Sequence, residues 1–314
     1  MTTSRHMGQQ HAGLQHPGAT AVAEKGWLRA HKWLLLRRAS QVGFLGLFLL
    51  GPWAGIWLVQ GNLTSSMTLD LLPLTDPYVL LQSMAAGHWP ATTALIGGAI
   101  VLVAYALIGG RVYCSWVCPV NIVTDGAHWL RERLGLPKGW QPKRQTRLWV
   151  LGMTLLASAA TGTIAWEAVN PVSMVHRGLI FGVGFAWAIV AAVFLFDLFV
   201  SRRGWCSHLC PVGAFYGLVG SASLLRVSAH DRAACDDCMD CFAVCPEPHV
   251  ITPALKGALK GADKGASPVI LSPDCTNCGR CIDVCSIDVY RFAHRFDRRE
   301  TDWKAAEPAA KRAA

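Results

Sequence analysis

Long apolar runs separated by polar segments form the main pattern of the chain. Four runs have about the twenty residues that a helix needs to cross a hydrocarbon core, at 42–59, 91–109, 148–166 and 179–200. The first three contain no charged residue, and the fourth contains only Asp197, near its end. The pattern therefore predicts an all-α membrane core of four transmembrane helices.

The composition agrees with a membrane protein, and the positions of the basic residues explain the positive net charge without a nucleic-acid partner. Of the 314 residues, 52% are hydrophobic and 16% are charged, which is more apolar than an ordinary soluble enzyme. The formal net charge is +9, but many Lys and Arg residues stand beside the apolar runs, where they act as topology signals. No basic face interleaved with aromatic residues is present, so binding to nucleic acid is not expected.

The distribution of Lys and Arg predicts the orientation of the spans. These residues are frequent before the first run and between the second and third, whereas the other two connections contain only Arg177. By the positive-inside rule, both termini are expected on the cytoplasmic side of a bacterial inner membrane. Arg37 and Arg38 resemble a twin-arginine export signal, but no small-residue cleavage site follows them. We therefore interpret the first run as an uncleaved helix.

The same patterns divide the chain into four segments. Residues 1–40 are expected to form a basic cytoplasmic tail, 41–200 the four-helix core, 201–294 a cytoplasmic cysteine-rich domain and 295–314 a polar tail. Each half of the core is a pair of spans followed by C-x3-C-P on the cytoplasmic side, which indicates a parallel duplication. The connection 61–90 is expected to pack against the outer face.

Two cysteine runs after the last span share the spacing C-x2-C-x2-C-x3-C. They read "CDDCMDCFAVCP" from Cys235 and "CTNCGRCIDVCS" from Cys275. In bacterial two-cluster ferredoxins, three closely spaced cysteines of such a run bind one cubane and the fourth binds the other. The spacing thus predicts two [4Fe-4S] clusters, with the ligand sets Cys235, Cys238, Cys241 and Cys285 for the first, and Cys275, Cys278, Cys281 and Cys245 for the second.

Zinc and disulfide bonds are the alternatives for these eight cysteines. Paired C-x2-C elements also bind zinc, but each run offers four cysteines in the ferredoxin order. Disulfides are disfavoured because the predicted topology places the residues in the reducing cytoplasm. Residues 201–294 are therefore predicted to be a small α+β domain of the bacterial two-cluster ferredoxin type.

Four cysteines remain, in two copies of C-x3-C-P. Cys114 and Cys118 form the first pair, and Cys206 and Cys210 form the second about ninety residues later. A C-x3-C pair places two thiols on one helix face, so two pairs on adjacent helices can form one site. The following prolines suggest a helix break that leaves the sulfur atoms near the surface. The spacing leaves a metal site, a redox-active dithiol and an electron relay open.

Several motifs resemble a known family when they are taken in chain order. They read "GPWAGIWLVQGN", "PLTDPYVLLQS", "CSWVCPVN", "WEAVNPVS", "WCSHLCPVGAFYG" and "CMDCFAVCPEPHV". Over 34–290 the chain is similar to the NapH/MauN family of ferredoxin-type membrane proteins, whose NapH branch forms subunits of quinol dehydrogenases serving periplasmic nitrate reductase. The segments "PLTDP" and "CPEPHV" favour the nitrate branch. A Lys- and Gly-rich insertion from residue 256 departs from the family pattern.

The resemblance implies a function and partners that the residues alone do not reveal. It implies four spans, two cytoplasmic [4Fe-4S] clusters and oxidation of membrane quinol. It also implies a periplasmic four-cluster ferredoxin-type subunit (NapG-like) as partner, with electrons passing to a tetrahaem cytochrome or to the periplasmic nitrate reductase. The predicted spans contain no histidine and the chain contains no C-x-x-C-H, so haem is not expected within it.

Two routes for quinol oxidation and one different function stay open. In the first route quinol reacts near the outer face, where acids or His176 accept protons; in the second it reacts near the inner face, beside the C-x3-C-P cysteines. Glu167 and Asp197 are the candidate quinone or proton residues, because ionisable groups at membrane depth are often functional; Asp70 and Asp76 are further outer candidates. The different function is a redox maintenance or assembly factor that reduces a thiol, a metal or a partner cluster with cytoplasmic electrons.

Overall fold

The chain folds into two compact units. The computed structural model describes residues 16–137, 139–182, 184–256 and 267–297. The core unit runs from Arg37 to Ala222. The ferredoxin unit combines the described residues up to Leu36 with those from Ser223 onward. The Lys- and Gly-rich insertion and most of the predicted C-terminal tail lie outside the described residues.

Helices dominate the described residues, and five short strands complete the elements. The α-helices are α1 Ala19–Lys25, α2 Trp27–Ala30, α3 Lys32–Ala54, α4 Pro77–Ala85, α5 Thr92–Ile108, α6 Val112–Trp116, α7 Val120–Arg133, α8 Thr146–Thr161, α9 Pro171–Phe181, α10 Gly184–Leu195, α11 Pro211–Val219, α12 Asp240–Val244, α13 Ile251–Lys256 and α14 Arg280–Val284. The strands are β1 Val59–Gly61, β2 Ser65–Thr68, β3 Leu72–Thr75, β4 Leu225–Ser228 and β5 Arg291–His294. Two π-helical turns, Phe196–Val200 and Trp205–Leu209, precede α11.

Four X-Pro pairs start helices in the core unit, two in each half. Proline suits the first helical turn because the N–H it lacks would have no intrahelical partner. Asp76 and Asn170 precede α4 and α9, and their side chains accept hydrogen bonds from the N–H of Tyr78 at 3.0 Å and of Val172 at 3.1 Å. The prolines of the C-x3-C-P motifs also stand at helix starts: Pro119 precedes α7, and Pro211 is the first residue of α11. The repeated X-Pro starts agree with a duplicated core.

Three of the four helices that correspond to the apolar runs, α5, α8 and α10, are shorter than the runs, whereas α3 is longer. By length and composition, α3 is long and apolar enough to cross a membrane, whereas α5 and the segment Gly184–Val200 are apolar but shorter. The fourth predicted run, 179–200, includes the end of α9. Gly162 and Gly182 end α8 and α9 at φ of 67° and 63°, a left-handed conformation that glycine adopts readily. Among the described residues, helix length therefore supports one of the four predicted spans.

The connection between α3 and α5 contributes to the core rather than only covering it. Strands β1, β2 and β3 form an antiparallel sheet, and α4 then carries Tyr78 to a fully buried position. The Tyr78 hydroxyl lies 2.6 Å from Thr154 Oγ1, and its ring packs against Phe215 at 5.6 Å between centroids. Part of the predicted outer loop thus contacts the helix that follows the second C-x3-C-P motif.

The ferredoxin unit pairs β4 with β5 around two similar loop and helix elements. The strands are antiparallel, with Leu225 opposite His294 and Ser228 opposite Arg291. Helices α12 and α14 carry the third cysteine of each run, and each ends at the fourth. Val227, Ile251 and Val289 are almost fully buried in its core. This α+β arrangement follows the alternation of turns and short apolar segments around the cysteines.

The N-terminal segment and the unit boundary differ from the sequence expectation. Residues 1–40 are expected to form a tail, but α1 and α2 fold as part of the ferredoxin unit. The Gly18 N–H donates to Asp240 at 2.8 Å, and the N–H groups of Trp33 and Leu34 donate to Asp283 at 3.0 and 2.9 Å. These acids satisfy backbone donors that local periodicity does not reveal. The second boundary falls after Ala222 rather than after residue 200.

Candidate functional site

The two cysteine loops of the ferredoxin unit share an unusual backbone. Asp237 and Asn277, two residues after the first cysteine of each run, have φ of 59° and 48°. Met239 and Gly279, four residues after it, have φ of 68° and 74°. Such left-handed residues turn the chain tightly, so that successive side chains point into one concavity. The equal C-x2-C-x2-C spacing therefore produces equal loops.

Each loop lines its own cavity and receives one cysteine from the other loop. The first cavity has about 340 Å³ of space between its lining atoms and the second about 370 Å³. The cysteines around the first are Cys235, Cys238, Cys241 and Cys285, and those around the second are Cys245, Cys275, Cys278 and Cys281. The structure thus brings together the two ligand sets predicted from the spacing.

Their hydrogen bonds and their burial make these thiols suitable ligands for iron. Tyr290 donates its hydroxyl to Cys241 Sγ at 3.5 Å, and the Val289 N–H donates to Cys285 Sγ at 3.4 Å. Burial raises the pKa of Cys241 to about 11 and that of Cys238 to about 12. Thiols with such pKa values stay protonated unless a metal binds them, because a metal stabilises the thiolate directly. Hydrogen bonds to sulfur are typical of iron–sulfur sites.

A third cavity, in the core unit, is lined by all four remaining cysteines. We call Cys114, Cys118, Cys206 and Cys210 the core tetrad. The cavity has about 410 Å³ of space between its lining atoms, and buried Trp166 and Val172 also line it. Both pairs of the duplicated motif therefore contribute to one site, as the sequence allows.

The prolines of the motif mark the expected helix break, because a helical segment ends before each proline and another helix follows. The expected position of the sulfur atoms near the surface is not what the structure shows. Each proline stands at the start of the next helix, and the thiols line a cavity inside the core unit. Proline has no N–H, so the sulfur before it bonds the next two donors. Cys118 accepts from the N–H groups of Val120 and Asn121, and Cys210 from those of Val212 and Gly213.

Arg111 is a residue of this site that the sequence pattern does not reveal, because a basic residue beside an apolar run is typical of a topology signal. It is 2% exposed. Its Nη2 donates to the carbonyl oxygen of Cys206 at 3.2 Å, and its guanidinium hydrogen-bonds the thiol of Cys114. A buried arginine needs negative charge nearby. Its position three residues before the first cysteine is the only signal of this role in the sequence.

An acid from the predicted outer loop lies near the same cavity. Asp76 is 7% exposed and accepts a 3.0 Å hydrogen bond from the Tyr216 hydroxyl. The Tyr216 ring stacks on Tyr113, with 5.0 Å between centroids, and Tyr113 lines the cavity. Burial raises the pKa of Asp76 to about 6, although the Tyr78 N–H and the Tyr216 hydroxyl oppose the shift. Asp76 thus links the outer connection to the core tetrad.

The two principal sequence candidates for quinone or proton chemistry are held in separate surroundings. Glu167 accepts from Asn170 Nδ2 at 3.1 Å and lies 3.9 Å from Arg177. Asp197 is fully buried and accepts from the Trp205 N–H at 2.9 Å. Asn170 and Trp205 line the core cavity, whereas neither acid does. Each acid therefore supports a cavity-lining residue.

The other two outer candidates differ in burial, and neither lines the core cavity. Asp70 lies in an exposed turn and accepts from Gln60 at 2.8 Å. His176 is buried against Phe48, with 6.0 Å between ring centroids.

A further group of ligand atoms borders the second cavity of the ferredoxin unit. Atoms of Glu247, His249 and Asp274 all lie within 4.8 Å of one another. His249 Nε2 is 2.9 Å from Asp274 Oδ2, so the imidazole and the carboxylate already bind each other. Glu247 and Asp274 also line the cavity. This arrangement fixes the "CPEPHV" segment beside the second cysteine loop.

Comparisons with known proteins agree with the two kinds of cysteine site. A family described as "4Fe-4S binding domain" matches residues 91–137 and 183–228, and one described as "4Fe-4S dicluster domain" matches residues 227–286. The first family covers the two C-x3-C-P halves, and the second covers the two ferredoxin loops. No solved structure matches the chain.

Curated relatives match over most of their length. The methylamine utilization ferredoxin-type protein MauN of Paracoccus denitrificans is 63% identical over 81% of this chain and 88% of its own. MauN of Methylorubrum extorquens is 57% identical over 88% and 94%. The ferredoxin-type protein NapH of Escherichia coli is 50% identical over 89% and 95%.

Proposed function

The chain belongs to the NapH/MauN family of ferredoxin-type iron–sulfur electron transport proteins, and from this premise we propose that it is the membrane electron-transfer subunit of a quinol dehydrogenase. In this role it takes electrons from membrane quinol and passes them toward a periplasmic acceptor. The clusters of the ferredoxin unit supply one-electron redox chemistry when bound, and the chain's own residues hold them and separate them from water.

The observation that carries this proposal is the exchange of cysteines between the two ferredoxin loops. Cys245 follows the first loop but lines the second cavity, and Cys285 follows the second loop but lines the first. This exchange brings the two sites close enough to share one small fold, as in bacterial two-cluster ferredoxins. Such an arrangement serves electron transfer rather than hydrolytic chemistry.

The membrane location is part of the same proposal. Helix α3 and the shorter apolar helices support insertion in a bacterial inner membrane. The distribution of Lys and Arg supports a multi-pass topology with cytoplasmic termini and a cytoplasmic ferredoxin unit. The family resemblance implies a periplasmic four-cluster ferredoxin-type subunit (NapG-like) as the partner on the outer side.

Two electron-accepting systems are candidates, because both NapH and MauN relatives match the chain. The motifs "PLTDP" and "CPEPHV" favour the periplasmic nitrate reductase system, directly or through a tetrahaem cytochrome. MauN relatives are 63%, 57% and 46% identical to the chain, and the Escherichia coli NapH is 50% identical. Because these ranges overlap, methylamine utilization is kept as the second candidate. Growth of a deletion strain on nitrate or on methylamine, with and without this chain restored, distinguishes the two.

Proton release from quinol needs a base, and Asp76 is the residue that fits this task. Oxidation of quinol to quinone releases two electrons and two protons. Asp76 is buried, belongs to the predicted outer connection and reaches the core cavity through Tyr216 and Tyr113. Its pKa of about 6 lies near the operating pH, which is favourable for a general base.

The experiment is an anaerobic EPR titration of the purified full-length protein, first with a menaquinol analogue and then with dithionite. We expect the quinol to reduce ferredoxin-unit clusters and the quinone to reverse the reduction. The matched control is Cys285→Ser, which alters a ligand of the first cavity but not of the second. Reduction by dithionite alone in intact protein would overturn the quinol role and favour the redox maintenance function.

A further inference from the structure

We propose that the core tetrad holds a third [4Fe-4S] cluster, inside the core unit and separate from the two ferredoxin clusters. The segments that match the "4Fe-4S binding domain" family, 91–137 and 183–228, contain the four tetrad cysteines and no others. The proposal concerns a cofactor of the core unit, so it stands whether or not quinol is the electron donor.

The size of the tetrad cavity matches the two ferredoxin cavities. It has about 410 Å³ of space between its lining atoms, against about 340 and 370 Å³ in the ferredoxin unit. Each of the three cavities is lined by four cysteines. The tetrad cavity, which Trp166 and Trp205 also line, therefore resembles the two ferredoxin cavities in size and in cysteine lining.

Three helix N-termini border the tetrad cavity. Helices α7, α9 and α11 have 14, 11 and 9 residues, and residues of the first turn of each line the cavity. The N-terminal end of a helix carries partial positive charge and free N–H groups, and it favours an anion. A [4Fe-4S] cluster with four thiolate ligands is an anion. The junction of three such ends favours it over four neutral thiols.

The hydrogen bonds to sulfur repeat between the two motif copies. In both copies the second cysteine accepts from the backbone N–H groups two and three residues later, across the proline. Cys206 Sγ also lies 3.7 Å from Thr124 Oγ1. Hydrogen bonds of this kind stabilise thiolates that bind iron and tune the cluster potential. In the C-x3-C-P motif, the N–H groups near sulfur thus come from the start of a helix. In the ferredoxin loops, left-handed turns shape the backbone around the cysteines.

Positive charge that acts on the Cys114 thiol also fits an anionic cluster. Arg111 hydrogen-bonds the Cys114 thiol, and Arg147, 9% exposed, acts on the same thiol electrostatically. Both guanidinium groups are buried, and burying a charge is unfavourable unless opposite charge is near. The two cations offset much of the negative charge that four thiolates and a cubane would place there.

The spacing of the sulfur atoms favours a cluster over a single ion. A tetrahedral ion with about 2.3 Å metal–sulfur bonds holds its four sulfur atoms about 3.8 Å apart. Within the described residues, a set of three ligand atoms all closer than 4.8 Å occurs at Glu247, His249 and Asp274, and not among the tetrad cysteines. A cubane spreads its thiolates farther apart, because a different iron atom binds each of them.

The test counts iron and acid-labile sulfide in anaerobically purified full-length protein. A cluster has four of each, so three clusters require about twelve iron atoms and twelve sulfides per chain. The variant with Cys114, Cys118, Cys206 and Cys210 all changed to Ser is expected to retain about eight of each. The matched control changes the eight ferredoxin cysteines to Ser and is expected to retain about four.

Spin quantification keeps the proposal testable when a variant fails to accumulate. Wild-type protein, fully reduced, is expected to show EPR intensity approaching three spins per chain, and its Mössbauer spectrum only cubane iron. Eight iron atoms per chain in the wild type, unchanged in the tetrad variant, would overturn the proposal. A stoichiometric zinc or a single tetrahedral iron lost with the tetrad would overturn it as well.

Discussion

The ferredoxin loops and the core tetrad place four cysteines around cavities of similar volume by opposite means. Each ferredoxin loop gathers three cysteines within seven residues, with left-handed turns at Asp237, Met239, Asn277 and Gly279. The core tetrad gathers two pairs about ninety residues apart, at the start of helices. The first arrangement depends on local backbone, and the second on how two halves of a bundle pack.

The two kinds of site are therefore sensitive to different substitutions. A loop site tolerates change elsewhere in the chain but not a change of φ within the loop. A site built by packing depends on the contact between the halves. In the core unit that contact is made by Gly110 and Gly220, where a Cβ on Gly110 would lie 1.7 Å from the carbonyl oxygen of Tyr216 and 2.6 Å from Gly220 N.

The largest effect is expected from Gly110→Ala. Its Cβ would overlap backbone atoms that cannot move alone, so we expect a loss of about 3 kcal/mol or more in the stability of the core unit. Iron bound at the core tetrad should be lost while the ferredoxin clusters remain, as measured by iron content and EPR. The matched control is Gly152→Ala on α8, where a Cβ would meet nothing within 4 Å. Equal losses in both variants would contradict the comparison.

Asp76→Asn tests the acid near the core tetrad with little change in structure. Asparagine keeps both the acceptor for Tyr216 and a good helix cap for α4. We expect quinol oxidation to slow about 100-fold, as for removal of a general base. In the wild type the rate should fall as pH drops below about 6, because the carboxylate with its raised pKa then becomes protonated.

The pH–rate profile from pH 5 to 8 is the readout for this prediction. The Asn variant should lose the dependence centred near pH 6, because it has no carboxyl group to titrate at that position. Asp70→Asn, in an exposed turn, is the control and should leave the profile unchanged. A wild-type profile that persists in Asp76→Asn would assign the proton to another group.

A smaller effect is expected in the ferredoxin loops, from Gly279→Ala. Gly279 has φ of 74°, and a Cβ there would lie 2.7 Å from Trp33 Cβ. The left-handed conformation costs an L-residue about 1–2 kcal/mol, and Trp33 must also move. Loss of cluster absorbance in urea should shift to lower denaturant. Met239→Gly, at the equivalent position with φ of 68°, should shift it slightly upward. A downward shift in both variants would refute the equivalence of the loops.

The smallest effect is expected from Tyr290→Phe. The hydroxyl of Tyr290 donates to Cys241 Sγ, and hydrogen bonds to sulfur raise a cluster's reduction potential. A loss of about 1 kcal/mol corresponds to roughly 40 mV for one electron, so the potential of the first ferredoxin cluster should fall by that order. Redox-titrated EPR measures it. Tyr216→Phe, in the core unit, should leave that potential unchanged.

The sequence predicts more of the structure of the ferredoxin unit than of the core unit. The C-x2-C-x2-C-x3-C spacing indicated which cysteines share a cavity, because each loop folds by its own turns. The folded N-terminal segment is not predicted, because α1 and α2 are short. The backbone N–H groups of Gly18 and Trp33 hydrogen-bond aspartates more than two hundred residues away. In the core, apolar length predicted four spans, but Gly162 and Gly182 end helices earlier than hydropathy suggests.

Features that depend on nearby residues are evident in the sequence: the apolar character of the core, the duplicated C-x3-C-P motif and the composition of the two ferredoxin loops. Tertiary packing brings the core tetrad around one cavity, places Arg111 in hydrogen-bond contact with the Cys114 thiol and joins Asp76 to Tyr216. These features differ in the sequence distance over which they are determined. Turn and helix preferences act over a few residues, whereas the tetrad requires the close approach of Gly110 to Gly220, and that approach exists only after the two halves pack.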